Sequence, residues 1–181
     1  METFTSYTSE TEGNRLNQVA PFTGLSSAFD MKFWNSLEAR RAEIASANGL
    51  ANARSLAVVA GHLASSGASG LLLSPPAWRE MHDLPTEGST FGMTTNFSQG
   101  GVNQFGGGEE SAGPARPGEI VHYGDQVPPG LFGWGGYGGS VFLWSPQHNI
   151  GFAYIPTYLA WYDRGKQRAI NCLRKLFDCL Q

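Results

Sequence analysis

The stretch from Phe132 to Pro156, FGWGGYGGSVFLWSPQHNIGFAYIP, constrains the fold more than any other part of the chain. It opens with five glycines among the seven residues Gly133 to Gly139, interrupted only by Trp134 and Tyr137. A residue without a Cβ lets another backbone or a ligand approach closely. Two strand-like runs follow, Ser140 to Trp144 and Ile150 to Ile155, with Pro146 and Asn149 punctuating the link. That pattern predicts a hairpin. Two readings of the glycine run stay open. It suits a strand edge that forms a cleft wall with backbone amides facing a substrate. It equally suits a tight bend packed under aromatic side chains.

Composition sets bounds on the rest. The chain has 181 residues, enough for one compact domain with a real core. Charged residues make up 15%, below the usual quarter, and there are 24 glycines, so a loop-rich globular protein is expected. The net charge is −3, with acids and bases spread along the chain, which gives no electrostatic footprint for nucleic acid. No apolar run approaches the ~20 residues that span a bilayer. Met1 to Ala20 is rich in Ser, Thr and Glu and has no apolar secretory core, so a flexible lead (1–20), a single domain (21–181) and a cytoplasmic location are expected. Cys172 and Cys179, seven apart on an expected helix, lie ~10 Å apart along its axis. A disulfide needs Cα atoms within about 7 Å, so reduced packing thiols are expected.

Asp30 is the expected cap of a helix from about Met31 to Ile44. A second helix, about Leu50 to Ser65, carries Leu50, Ala53, Leu56, Ala57, Ala60 and Leu63 at three-and-four spacing. A third runs from about Pro75 to His82, its prolines suiting a first turn. Thr90–Phe97 and Glu119–Tyr123 read as strands, with Gln99–Gly101 and Gly106–Gly108 as loops. The final helix, about Asp163 to Leu180, should bury Ile170, Leu173, Leu176, Phe177 and Leu180. His62, His82, His122 and His148 make no i, i+3 or i, i+4 pair, so polar surface histidines are expected rather than a metal site. No cofactor is expected: the glycine run is no phosphate-binding loop. No G-x-S-x-G elbow occurs, which argues against an α/β-hydrolase.

Four words in order carry a family resemblance: Ala47-Asn-Gly-Leu50, then Ala53-Arg-Ser-Leu-Ala57, then Leu72-Leu-Ser-Pro-Pro-Ala-Trp-Arg-Glu-Met81, then the glycine strand. Over roughly Ala42 to Thr157 the chain resembles the C-terminal part of the serine β-lactamase and penicillin-binding-protein-like hydrolases, in particular the β-lactamase-related proteins of animals. The resemblance implies an α+β fold: an antiparallel sheet flanked by helices, the C-terminal part of a β-lactamase/transpeptidase-like domain. In it the final helix packs across one face of the sheet, and the helices at Leu50 and Pro75 belong to an adjoining helical region.

The resemblance also implies chemistry by acyl transfer through a serine ester. The serine stands one helical turn before a lysine, in S-x-x-K spacing, and a Y-x-N element adds a further acid–base group. A third element, K-T-G, H-T-G or H-G-G on an edge strand, precedes an amide of the oxyanion hole. Three positions before Lys32, Lys166 and Lys175 stand Phe29, Asp163 and Cys172, so S-x-x-K is absent. None of the six tyrosines makes Y-x-N; Tyr123-Gly-Asp125 is a distant echo. Both elements are expected upstream of the Ala47–Leu50 turn, where too little chain remains to hold them. The third element is altered to Trp134-Gly135-Gly136. Tryptophan cannot ionise and offers one N–H donor, but the backbone role survives. The implied site is therefore the Tyr137 amide as oxyanion donor, with Trp134, Gly135 and Gly136 along the wall, and Asn48 and Gly138 in the cleft. The expected function is a serine-hydrolase-like domain, inactive as this chain. The alternatives are a non-catalytic binding or assembly protein, with a protein partner or a second copy, and a fragment of an active hydrolase acting on a small amide, ester or peptide.

Overall fold

The computed structural model describes residues 35–43, 45, 49–90, 93–105, 130–136, 139–157 and 164–180. The lead at 1–20, Asp30, the strand expected at Glu119–Tyr123 and the site candidates Asn48, Tyr137 and Gly138 lie outside these residues. The chain divides into two units, Met1–Ala51 with Ser89–Met93, and Asn52–Gly88 with Thr94–Gln181.

In the first unit, α1 is Leu37–Arg41. It is shorter than the helix expected from Met31, and its cap is Ser36, whose hydroxyl accepts the Ala39 N–H at 3.1 Å. Glu38 in its first turn and Arg40 and Arg41 in its last complement the helix dipole.

The second unit begins with α2, Ala53–Ser69. The expected start at Leu50 moves to Ala53 because Asn52 and Ser55 build a reciprocal cap. The Asn52 Oδ1 accepts the Ser55 N–H at 2.9 Å, and the Ser55 hydroxyl accepts the Asn52 N–H at 3.3 Å. The helix runs four residues beyond the expected end and stops at Gly70, whose φ of +61° suits glycine. Then α3 occupies Pro75–His82 as expected, capped by the Ser74 hydroxyl.

Six strands follow: β1 Thr86–Thr90, β2 Met93–Phe97, β3 Asn103–Phe105, β4 Leu131–Gly135, β5 Val141–Ser145 and β6 Ile150–Tyr154. They form one sheet in sequence order, and the pairs from β2 to β6 are antiparallel. Where one strand over Thr90–Phe97 was expected, β1 and β2 stand side by side. The strand β3, which has only three residues and follows two glycines, was not expected. The β5–β6 hairpin matches the sequence reading, and Asn149 closes its turn at φ +55°, a conformation that asparagine tolerates. The last helix, α4, is Arg164–Asp178.

Period-two alternation gives the sheet two apolar faces. On one, Phe105, Leu131, Val141 and Leu143 meet Ala169, Ile170 and Leu173 of α4, with Phe152, Tyr154, Leu176 and Phe177 at the margin. Leu180, expected in this core, is exposed. On the other face Phe132, Phe142 and Trp144 meet Ala60, Leu63 and Ala64 of α2 and Met81 of α3. The expected adjoining helical region is thus corrected: α2 and α3 are the second layer on this sheet. Small residues permit it. A Cβ at Gly151 would overlap the backbone of Ala60 and Gly61, so α2 lies directly on β6 at that point.

Candidate functional site

The glycine strand β4 lies inside the sheet, between β3 and β5. The expectation of an edge strand therefore holds for only part of its length. Register explains this. Asn103, the first residue of β3, pairs with Gly133, while β4 continues with Trp134 opposite Phe142 and Gly135 opposite Val141. Beyond Gly133, no strand among the described residues pairs with the β3 side of β4. Gly133 is required for this path: its φ is +132°, and a Cβ there would overlap the Phe142 carbonyl.

Trp134 stands at this open end. Its ring stacks on Phe97 of β2, with centroids 5.3 Å apart and planes inclined by 28°. It is 39% exposed, against 3% for Trp144. Trp78 and Trp144 spend their indole N–H groups inside the protein, on the Leu63 carbonyl at 2.6 Å and the His82 Nε2 at 2.9 Å. The Trp134 indole N–H has no partner among the described residues. Gly136 closes the wall. Its N–H donates to the Ser140 carbonyl at 2.7 Å, and its carbonyl accepts the Gly139 N–H at 3.3 Å. A Cβ at Gly136 would overlap the Ser140 hydroxyl, so that hydroxyl sits against the glycine backbone.

Of the residues that the sequence singled out, the structure thus brings Trp134, Gly135 and Gly136 into one short wall; it leaves Tyr137, Gly138 and Asn48 undescribed. Sequence reasoning missed Phe97 and Ser140. Nothing in the sequence marks Phe97 as a neighbour of Trp134, since that depends on the unforeseen β3. Ser140 was legible as the residue closing the glycine run.

Behind the wall lies a second aromatic group. The His82 ring is 4.3 Å from Trp78, 4.5 Å from Phe132 and 5.9 Å from Trp144 by centroids. His82 is thus half-buried among aromatic rings where a surface histidine was expected. His82 Nε2 accepts the Trp144 N–H, so Nδ1 carries the proton and donates to the Trp78 carbonyl at 2.7 Å. Burial pushes the His82 pKa below the usual histidine value, against smaller upward pulls from the Trp78 carbonyl and Asp83.

One serine does meet a histidine: Ser145 Oγ lies 2.9 Å from His148 Nδ1. The hydroxyl also accepts the His148 N–H at 3.3 Å, and Ser145 is fully buried. It closes the β5–β6 turn and has no access to a substrate. It also stands at the far end of β5 from Val141, roughly 13 Å along the strand. Cys172 and Cys179 are free thiols. Among the described residues no group of three His, Cys, Asp or Glu could hold a metal, and no helix is long and apolar enough to cross a membrane.

Comparison with known proteins places this architecture. None of the curated proteins compared matches the chain. Among solved structures it is similar to a family VIII carboxylesterase, at 23% identity and a TM-score of 0.47, over 68% of this chain and 31% of that one. The chain therefore spans less than a third of the carboxylesterase's length. A family model described as Beta-lactamase matches residues 4–173, reaching beyond the Ala42–Thr157 words at both ends. With nearly the whole of its length under that match and a helix-flanked antiparallel sheet at its centre, the chain belongs to the Beta-lactamase family as a serine-hydrolase-like domain.

Proposed function

We propose that this chain supplies the sheet wall of a serine hydrolase acting on amide or ester bonds and does not itself turn over. The observation that carries this reading is the missing nucleophile: no lysine follows a serine or threonine at S-x-x-K spacing, and no tyrosine begins Y-x-N. Without a hydroxyl beside a basic amine, the acyl-enzyme has no route to form. In a complete relative the serine would be acylated and the Tyr137 amide would hold the oxyanion. That assignment is supported by the adjoining Gly136 amide being engaged in closing the turn, on the Ser140 carbonyl. Incubating the purified chain with a chromogenic lactam and with a short acyl ester tests it. Hydrolysis no faster than with heat-killed protein is the expected outcome; turnover well above that control overturns it.

A second reading, binding or assembly without catalysis, is favoured by the exposed Trp134 at the position of the basic residue. Sedimentation at several concentrations discriminates, because a strictly monomeric chain counts against assembly. The location we propose is the cytoplasm, on the two free thiols; an organelle-restricted fluorescent fusion would contradict it.

A further inference from the structure

We propose that Cys172 and Cys179 form a paired S-acylation site, through which α4 holds the protein on the cytosolic face of an anionic membrane. A lipid anchor of this kind needs no spanning helix. The inference stands apart from the hydrolase-wall reading and does not depend on it.

The first observation is the exposure of the thiols. Free cysteine is among the most buried residue types in folded proteins. Both cysteines of this chain are instead exposed free thiols, where packing thiols were expected. They stand on α4, about 10 Å apart along its axis and within about 20° of the same direction around it. That spacing is too long for a disulfide between them. It lets two acyl chains leave the protein side by side from one face.

The second observation is that the apolar face of α4 is already occupied. Ala169, Ile170 and Leu173 are buried against the sheet, with Leu176 and Phe177 at the margin. An amphipathic helix ordinarily binds a bilayer by burying its apolar face in it. α4 cannot do that without leaving the sheet, so its outer face reaches a bilayer only through added lipid and through charge.

The third observation is that the charge is there. Five of the chain's twelve Lys and Arg residues lie on α4, Arg164, Lys166, Arg168, Arg174 and Lys175, with the single acid Asp178. Five bases and one acid give the helix +4 in a chain whose net charge is −3. Arg168 stands one turn before Cys172, Lys175 stands one turn before Cys179, and all four are exposed. Lys175 lies 3.1 Å from Asp178, so one of these cations is partly neutralised. One acyl chain alone binds a membrane reversibly, and stable anchoring takes a second chain or a basic patch. α4 supplies both. Cysteines on an amphipathic helix are the usual setting for reversible S-palmitoylation.

The transfer is a thioester exchange. The cysteine thiolate attacks the thioester carbonyl of a long-chain acyl-coenzyme A. The new carbon–sulfur bond forms as the bond to coenzyme A breaks, and coenzyme A leaves as the thiol with the cysteine's proton. Nothing is oxidised or reduced.

Cultured animal cells expressing the full chain and fed alkynyl palmitate test this. The chain should carry label that hydroxylamine removes, and should sediment with membranes. Cys172→Ser and Cys179→Ser should each lose part of the label, and the double variant all of it. The membrane-bound fraction should fall about tenfold or more in the double variant. The labelled chain should bind vesicles containing phosphatidylserine about fivefold more tightly than pure phosphatidylcholine, the equivalent of about 1 kcal/mol. Arg168→Gln should narrow that difference. A native chain without hydroxylamine-sensitive label overturns the proposal. So does label that survives in the double variant, or a labelled chain that stays in the soluble fraction. Equal binding to the two kinds of vesicle overturns it too, because the anionic surface is part of the claim. A disulfide-linked dimer on a non-reducing gel, in place of label, would assign the thiols to a second copy instead and would also overturn it.

Discussion

The indole N–H of Trp144 donates to His82 Nε2 at 2.9 Å, and that bond joins α3 to the middle of the sheet. It exists only while His82 is neutral, because a protonated ring has two donors and no acceptor. The groups packed on the ring from β4 and β5 are the uncharged Phe132 and Trp144; the carboxylate that acts on it is Asp83, next in sequence. Desolvation outweighs that carboxylate and depresses the folded pKa below the ordinary 6.5. The unfolded chain therefore binds the proton more readily than the folded one, and stability rises with pH across the interval between the two values. The contribution of His82 is fully present above pH 6.5 and is lost as pH falls through the depressed folded value. Urea unfolding at pH 7.5 and pH 5 should show a lower midpoint in acid. In His82→Gln, whose amide oxygen can still accept the Trp144 N–H, the acid loss should shrink. An identical loss in both proteins would remove His82 from the account.

Gly151 sets how closely α2 approaches β6. A Cβ at this position would overlap the backbone of Ala60 and Gly61, and backbone cannot rotate aside as a flexible side chain can. Gly151→Ala should therefore cost about 3 kcal/mol, the upper part of the usual range for overpacking. For a domain of this size that is a fall in Tm on the order of 10 °C, readable by circular dichroism. Gly61→Ala, where an added Cβ meets nothing within 4 Å, should leave Tm nearly unchanged or raise it slightly.

Local chemistry was legible in the sequence where it was self-contained. The run of prolines fixed the start of α3, and the strand-like apolar runs on either side of Pro146 and Asn149 gave the β5–β6 hairpin. The Asn52–Ser55 cap is present in the sequence as N-x-x-S, but the apolar periodicity that starts at Leu50 masks it. What could not be read was pairing at a distance. The three-residue β3 has too little pattern to register, yet its start at Asn103 leaves Trp134 with no strand partner on that side among the described residues, and Phe97 stacks against it. The burial of His82 likewise depends on Trp144, sixty-two residues away.

Gly133 and Gly101 both have positive φ, at +132° and +74°, but their surroundings differ. At Gly101 an added Cβ meets nothing within 4 Å; at Gly133 it would overlap the Phe142 carbonyl. Gly101→Ala should cost only the backbone term, about 1–2 kcal/mol. Gly133→Ala should cost more, because it adds a clash between β4 and β5 to the strain. The indole N–H resonance of Trp134, one residue along, should shift in Gly133→Ala and stay in place in Gly101→Ala. Equal destabilisation of the two variants in urea would contradict this account of the β4 path.

Asn52 and Ser55 satisfy two N–H groups at the start of α2 by exchanging side-chain hydrogen bonds, and the Ser55 hydroxyl adds a 3.0 Å bond to the Asn52 carbonyl. Both residues are exposed, so water can replace part of what either substitution removes. Asn52→Ala should cost about 1 kcal/mol, the usual value for losing a cap. Ser55→Ala should cost less, since it leaves the Asn52 side chain able to accept the residue-55 N–H. Because the two side chains form one motif, the double variant should cost less than the sum of the singles, with a coupling of about 0.5 kcal/mol or more. Strict additivity in a urea double-mutant cycle would mean that the two bonds form independently, and the start of α2 at Ala53 would then need another cause.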